Sequence, residues 1–383
     1  MTPTAYSRSV RQAGFSVVEL MVAMTLSLIL MAGALSILYS TKLTNTENER
    51  MARVQEAGRT AFELIGQDAR SAGYIGCSRQ SPDAGTNPPN TYFNNGLTAT
   101  SLLWNFIEPV HGFEATSATA WSPALDAAIP SGSGASPTPM ANSDVLVVRA
   151  ARPGAPIFRT NAAFANNADI PVDRDGAAST LAAQTPVIIS DCQGADVFAV
   201  SDFSVATPTA TTATISHAVL SGTPVINNSS GTFKHTYGAG ALVQPVQTVI
   251  YYVASCTAVV SASACNTSTT PPALWQIVGA GPPQELIQGV EAMQVKYGID
   301  TNGDFLADNY VTADAVTNWA SVVSINIAIL VRSVDENGTD VDTKTYALLG
   351  GTTASGGHTY GPFNDRRARQ IFSTTITVRN IAP

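Results

Sequence analysis

Two hydrophobic patterns follow one another at the start of the chain. Residues 20–40 are uncharged and mostly apolar on every side, whereas from about residue 42 apolar residues recur at helical spacing among charged ones. No proline lies between residues 15 and 76. We therefore predict one long helix, with a first half of membrane-spanning length and an amphipathic second half.

Beyond the helix, the pattern changes to alternation of apolar and polar residues. Such alternation over residues 293–299, 323–331 and 372–378 predicts antiparallel strands with one covered face. Residues 144–150, 186–190 and 246–254 are further predicted strands. Residues 78–142 are rich in Pro, Asn, Ser and Gly and predict mostly loop. One long helix packed on an antiparallel sheet is an α+β architecture.

An acidic residue, Glu19, lies at the start of the apolar segment. A carboxylate in a bilayer is costly unless a cation meets it. Cleavage after Gly14 would supply that cation, because Phe15 would then carry the new N-terminal amine. The leader before the cleavage site contains Arg8 and Arg11 and no acidic residue.

Two other interpretations of this segment are an ordinary secretory signal and a simple single-pass anchor. Small residues at Ala32-Gly33-Ala34 fit a secretory cleavage site, but the apolar run continues past them to Tyr39. Neither interpretation gives Glu19 a role.

Composition points to a β-rich protein outside the cytoplasm. Only 13% of the 383 residues are charged, and the formal net charge is −8. Removing the two arginines of the leader makes it −10. No basic stripe is visible, so we expect no direct binding of nucleic acid.

The four cysteines predict two disulfide bonds. They are Cys77, Cys192, Cys256 and Cys265, and none forms a CxxC pair. The short separation of the last two favours a local loop crosslink, which would leave Cys77 to pair with Cys192. All three pairings remain open on sequence alone.

A stretch near residue 300 has the oxygen-rich spacing of a calcium loop. Asp300, Asn302, Asp304 and Asp308 occupy positions 1, 3, 5 and 9, and the carbonyl of Leu306 occupies position 7. However, position 6 is Phe305 rather than Gly, and position 12 is Val311 rather than Glu. The alternative is a plain turn between strands, because Asn302-Gly303 is a hairpin signal.

Nothing in the sequence predicts an enzyme or a required cofactor. His111, His217, His235 and His358 lie far apart, as surface or loop residues would, and no catalytic motif is found. Arg366, Arg367 and Arg369 precede the last predicted strand. We interpret them as its solvated start, with contact to an acidic partner as the alternative.

The leader, the Gly14-Phe15 junction and Glu19 together resemble the type IV prepilin signal. In that family a dedicated peptidase cuts after the Gly and methylates the Phe. Further segments extend the resemblance, in this order, to the PilW family of type IV pilus assembly proteins: SAGYIGC at 71–77, DC at 191–192 leading into VF at 197–198, VEAMQVKYG at 290–298, and TVRN at 377–380. Residues 290–298 also resemble the shorter J-type minor pseudopilins of type II secretion.

The resemblance implies a pilin-like minor subunit rather than a catalyst. Its expected parts are a leader at 1–14, a transmembrane and fibre-core helix at 15–41, an amphipathic continuation at 42–76 and a β-rich domain at 77–383. It implies anchoring in the inner membrane with that domain in the periplasm, and a place in the pilus at the cell surface after assembly. The expected partners are prepilin peptidase, the assembly platform, other minor pilins, the major pilin and a PilY-type tip adhesin.

Three functions remain open from the sequence. The first is priming of pilus assembly at the tip, in which the amine of Phe15 pairs with Glu19 of a neighbouring subunit. The second is that of a secretion pseudopilin. The third is a tip binding module, which exposed aromatic residues around Trp104 and Trp121 would favour.

Overall fold

The computed structural model describes most of the chain. The described residues are 14, 16–74, 76, 92–98, 101–117, 119–131, 137–176, 179–191, 193–255, 271–336, 338, 340–351, 357–378 and 380. Two compact units divide the chain at residues 52 and 53.

A single long helix, α1, extends from Val17 to Ser71. Its sequence contains no proline, and the left-handed Gly73 (φ 69°) lies two residues after its last residue, Ser71. In the first unit, every residue from 17 to 42 is exposed. The predicted helix is thus confirmed.

The second unit is built mainly of strands. The nineteen strands among the described residues are β1 Tyr92–Asn95, β2 Val110–Ala115, β3 Trp121–Ser122, β4 Val145–Ala151, β5 Phe158–Thr160, β6 Ile170–Asp173, β7 Pro186–Ser190, β8 Gly194–Ala199, β9 Asp202–Ser204, β10 Thr212–Ser216, β11 Leu242–Ala254, β12 Ala273–Val278, β13 Gln284–Gln288, β14 Val290–Ile299, β15 Asn309–Val311, β16 Val322–Arg332, β17 Tyr346–Leu348, β18 His358–Tyr360 and β19 Arg369–Thr377. The predicted α+β class is confirmed.

Strand β11 organises the larger sheet. Its first residues pair with β5 and β7, and its later residues pair with β4 and β12. A second sheet has the order β15-β14-β16-β19 and is antiparallel throughout. Strands β17 and β18 pair with each other in a separate two-stranded sheet. The pairing of β1 with β8 is parallel.

The main core lies between the second half of α1 and the two sheets. Val54, Ala61, Ile65 and Ala69 of the helix are buried there with residues of β4, β11, β14 and β16. The amphipathic pattern therefore predicted the buried side of the helix, although Met51 is 37% exposed.

The described part of residues 78–142 is mostly loop, as predicted, but it also contains β2, which pairs with β4 over four residues, and the short strands β1 and β3. One expectation about the strands is wrong. Strands β14 and β16 are buried on both faces rather than one, because Leu348 of β17 packs with Ala292, Ala328 and Leu330 in a smaller core, separate from the one that includes α1.

Candidate assembly site

The acidic residue of the apolar segment lies in the first turn of α1. Glu19 is exposed, and none of the apolar segment that follows it is buried. By length and composition, α1 is the one helix among the described residues that is able to cross a membrane. Phe15 lies outside the described residues, so its pairing with Glu19 stays a prediction.

The second half of α1 approaches the smaller sheet very closely at Gly58. A Cβ at this position would lie 2.6 Å from the ring of Phe372 on β19. The helix therefore needs glycine here for β19 to pack against it.

One buried hydrogen bond fixes α1 on the larger sheet. The hydroxyl of Tyr251 on β11 donates to the carboxyl of Asp68, at 2.7 Å. Burial raises the pKa of Asp68, and the hydrogen bond from Tyr251 opposes that rise. Because both groups are buried, each needs the other as its partner.

The VEAMQVKYG segment is strand β14, and its polar residues connect this strand to its surroundings. Gln294 donates from Nε2 to the carbonyl of Asn142 (3.0 Å) and to the hydroxyl of Tyr360 (3.3 Å). The Lys296 ammonium donates to the carbonyl of Leu349, at 2.9 Å. This segment was identified by its resemblance to a family. In the structure, its amide and ammonium groups form hydrogen bonds with residues outside the strand.

Arg369 is the centre of a buried ion cluster. Its guanidinium lies 2.7 Å from Glu291, 3.0 Å from Asp342 and 2.6 Å from Asp365, and its side chain is fully buried. The ring of Phe363 lies 3.7 Å from the guanidinium carbon. Burial alone would lower the pKa of Arg369, but hydrogen bonds with Asp365 and Glu291 raise it above its ordinary value.

The interpretation of this arginine group as a solvated strand start is therefore wrong for Arg369. Asp365 lies four residues away, but Glu291 and Asp342 are distant in the chain, so the local sequence does not reveal them. Arg367 pairs with Glu336 at 3.3 Å and with Asp365 at 3.7 Å.

A second polar cluster, the carboxyl junction, consists of Glu114, Asp144, Gln294 and Tyr297. Asp144 accepts hydrogen bonds from the backbone N–H groups of Ala115 (2.9 Å) and Val295 (2.8 Å), and so joins β2 to β14. Glu114 Oε2 and the Tyr297 hydroxyl are buried without a hydrogen-bond partner among the described atoms.

Burial governs the ionisation of the carboxyl junction. It raises the pKa of Asp144 well above its usual value, and the charge of Glu114 adds to that rise. Burial also raises the pKa of Glu114 to about 7, with a further contribution from Asp314 and a smaller opposing one from Lys296. The folded protein thus holds protons here that the unfolded chain would release.

Proton uptake at Glu114 on folding predicts that the stability of the folded protein depends on pH. The substitution Glu114→Gln should weaken this dependence. Because the folded pKa exceeds the unfolded pKa, the stabilisation is complete below about pH 4.5 and is lost as the pH rises through about 7. Other carboxylates, such as Asp365, have lowered pKa values and act in the opposite direction. The measurement is therefore the difference in Tm between wild type and Glu114→Gln at pH 5 and at pH 8. We expect wild type to lose several degrees more than the variant on going to pH 8, and equal losses would contradict this account.

The end of α1 brings several of the family-like segments together. The N–H of Gly73 donates to the carbonyl of Arg149 (3.0 Å), and Asn380 donates from Nδ2 to the carbonyl of Ala72 (3.0 Å). Gly76 (φ 76°) lies so close to Ser190 that a Cβ there would be 1.8 Å from the serine Oγ. Segments 71–77 and 377–380 are therefore in contact. Segment 71–77 also lies close to the end of β7, just before residues 191–192.

All four cysteines lie outside the described residues. The contact between Gly76 and Ser190 nevertheless involves the immediate neighbour of Cys77 and a residue two positions before Cys192. Their pairing stays a prediction.

Residues 300–308 form the turn of a hairpin between β14 and β15, as Asn302-Gly303 predicted. Asp300 accepts from the N–H groups of Gly303 (2.7 Å) and Phe305 (2.8 Å). Asp308 accepts from the N–H of Thr301, at 2.8 Å. Calcium binding stays a prediction, for Asp300, Asn302, Asp304, Leu306 and Asp308 alike. In the described part of the chain, no group of three His, Cys, Asp or Glu side chains is arranged to hold a metal.

The histidines and tryptophans are less exposed than the sequence suggested. His217 lies in a loop, as predicted for a surface or loop residue, but it is only 3% exposed and its ring stacks on that of Phe233 at 4.0 Å. Trp104 is buried, and half-buried Trp121 donates from Nε1 to the carbonyl of Ser143, at 3.0 Å. The exposed aromatic surface that would favour a binding module is therefore not found at these two residues.

Comparison with protein families gave two matches. Residues 250–380 match the family described as Type IV Pilus-assembly protein W, and residues 10–35 match the prokaryotic N-terminal methylation motif. Residues 250–380 are therefore similar to the PilW family, and the N-terminal segment is similar to the prepilin signal. The first match covers about a third of the chain and includes β14, β16, β19 and the Arg369 cluster.

Together the two matches support a minor pilin of a type IV pilus with a prepilin-like N-terminus. Membership in this assembly implies interaction with other pilins and with the assembly machinery. The apolar helix and the methylation motif indicate anchoring in a membrane. The comparisons with curated proteins and with solved structures gave no significant match.

Proposed function

We propose that this PilW-family pilin primes pilus assembly from the inner membrane and is carried at the pilus tip. The observation that supports the proposal most is one exposed carboxylate, Glu19, in the first turn of a helix that then has no charge over membrane-spanning length. The PilW match at the other end of the chain supports a role in assembly rather than in catalysis.

The proposed assembly step is the pairing of two charges within the fibre core. Prepilin peptidase cleaves between Gly14 and Phe15, and the new amine of one subunit meets Glu19 of its neighbour as that neighbour leaves the bilayer. At 4 Å such a pair contributes about 4 kcal/mol at an effective dielectric near 20, before the cost of desolvation is subtracted. A misplaced subunit would leave both charges unpaired, so the pair sets the register of assembly.

The β-rich domain is proposed to face the periplasm before assembly and the cell surface afterwards. Its proposed partners are other minor pilins, the major pilin, the assembly platform and a PilY-type tip adhesin.

The disulfide proposal gives a covalent prediction. We expect Cys77 to pair with Cys192, because Gly76 contacts Ser190 and a disulfide requires Cα atoms about 4.4–6.8 Å apart. We expect Cys256 to pair with Cys265 within its own loop. Peptide mapping by mass spectrometry without reduction should recover both linked peptides. A peptide that links Cys77 to Cys256 or Cys265 would contradict this pairing.

The priming role is tested by deleting the gene and counting surface pili, with and without the retraction motor. We expect few or no pili in the single mutant and their return when retraction is also removed, because a priming subunit accelerates initiation without being indispensable. Pili at wild-type number in the single mutant would contradict priming. Loss of protein secretion with normal pili would support the pseudopilin instead.

A further inference from the structure

Strand β19 forms one edge of the smaller sheet. It pairs with β16 along all nine residues without a register shift. No strand among the described residues pairs with its other side. An edge of this kind presents a row of N–H and C=O groups that another extended chain can use.

The register shows which backbone groups point outward. Val378 donates its N–H to the carbonyl of Val323, so residues of the same parity in β19 face β16. Ile371, Ser373, Thr375 and Thr377 therefore direct their backbone groups away from the sheet. The last three of these residues are exposed.

This edge lacks the features that normally prevent strand pairing. Residues 370–377 read QIFSTTIT, with no charge, no proline and no glycine. The other strands at the ends of the described sheets are much shorter, with β13 the longest at five residues and the rest at two to four. A long, regular and uncharged edge is thus confined to β19.

We propose that β19 accepts an extended strand from a different pilin subunit, which lengthens the smaller sheet across a subunit boundary. This inference rests on the proposed function, because that function places other pilins beside the chain. A second copy of the chain is disfavoured, since two chains that have lost the leader, each of formal net charge −10, repel each other.

The chemistry of the edge describes the incoming strand. Main-chain hydrogen bonds to Ser373, Thr375 and Thr377 hold it, so its affinity depends on backbone groups rather than on a particular side chain. The incoming strand needs no complementary charge, because residues 370–377 carry none. The strand should therefore be uncharged and rich in β-branched residues, like β19 itself.

The test uses the full chain in membranes that contain the pilus machinery. Thr375 is replaced by a photoreactive benzophenone amino acid, and the products after illumination are identified by mass spectrometry. We expect a crosslink to another subunit that carries a prepilin signal. A crosslink within the chain, a crosslink between two copies, or no crosslink would overturn the proposal.

Ser373→Pro distinguishes backbone pairing from mere proximity. It removes an outward N–H that bonds to no residue in the described part of the chain, so Tm should change little while the crosslink falls at least tenfold. Ser373→Thr keeps the N–H and should keep the crosslink. Should the proline variant fail to fold, Ser373→Lys provides the same test, because an edge lysine opposes pairing while retaining the N–H. A crosslink that survives both variants would contradict strand addition.

The priming role and strand addition to β19 can be disproved independently of each other. A pilin crosslink that depends on Ser373, together with normal pili in the deletion strain, would sink priming and leave the strand interface intact. Loss of pili without any such crosslink would do the reverse.

Discussion

Arg369→Met is expected to destabilise the β-rich unit by about 3–5 kcal/mol, the usual cost of removing one partner from a buried ion cluster. The substitution removes a fully buried guanidinium and leaves Glu291, Asp342 and Asp365 facing one another. These carboxylates come from β14 and from two loop segments, so their repulsion acts on several elements at once. Denaturant unfolding of the full chain in detergent at pH 7.5 measures the loss.

Two comparisons make this result specific. Arg53→Met removes a 3.9 Å pair with Asp335 in which the arginine side chain is 74% exposed, and it should cost no more than about 1 kcal/mol. The loss of stability in Arg369→Met should be smaller at acidic pH, because protonation of the three carboxylates removes the repulsion between them. An Arg369→Met protein as stable as wild type at pH 7.5 would show that the cluster contributes no net stability.

Glu19→Val is expected to remove the protein from sheared pili while leaving its amount in the membrane unchanged. The substitution makes the helix more apolar and so does not weaken membrane insertion. It leaves the amine of Phe15 on the adjoining subunit without a partner during assembly. A loss of about tenfold or more corresponds to a net pair contribution of at least about 1.4 kcal/mol, well within the gross Coulomb attraction.

Glu49→Val provides the matched control for Glu19→Val. Glu49 lies on the same helix but outside the apolar segment, and it is exposed. This variant should reach the pili at the wild-type level. Equal incorporation of Glu19→Val and wild type would rule out the proposed charge pair.

The strands that could be predicted from sequence are those in which large apolar residues alternate regularly with polar or small ones. The alternating residues at 323–331 lie within β16, and those at 293–299 lie within β14. The Asn302-Gly303 turn between β14 and β15 was predictable for a local reason, because Gly303 adopts a φ of 82°.

Strand β2 could not be predicted in the same way. It contains Gly112, which weakens a strand by propensity, yet glycine is required there: a Cβ would lie 1.8 Å from the hydroxyl of Tyr297. That contact joins residues 185 positions apart in the sequence, so no local pattern reports it.

The buried polar clusters were also beyond sequence reasoning. The role of Asp144 depends on Ala115 and Val295, and that of Arg369 depends on Glu291, all distant in the chain. The one available signal was the presence of Glu291, Gln294, Lys296 and Tyr297 in an otherwise apolar strand. Such residues indicate burial with a partner, but only the fold identifies the partner.

The most direct test of the central claim is the N-terminal sequence of the mature protein, determined by mass spectrometry on membranes and on sheared pili. The account predicts a chain that begins at Phe15, with a methylated amine, in both fractions. An intact leader, or cleavage near Ala32-Gly33-Ala34 as in an ordinary secretory signal, would contradict it.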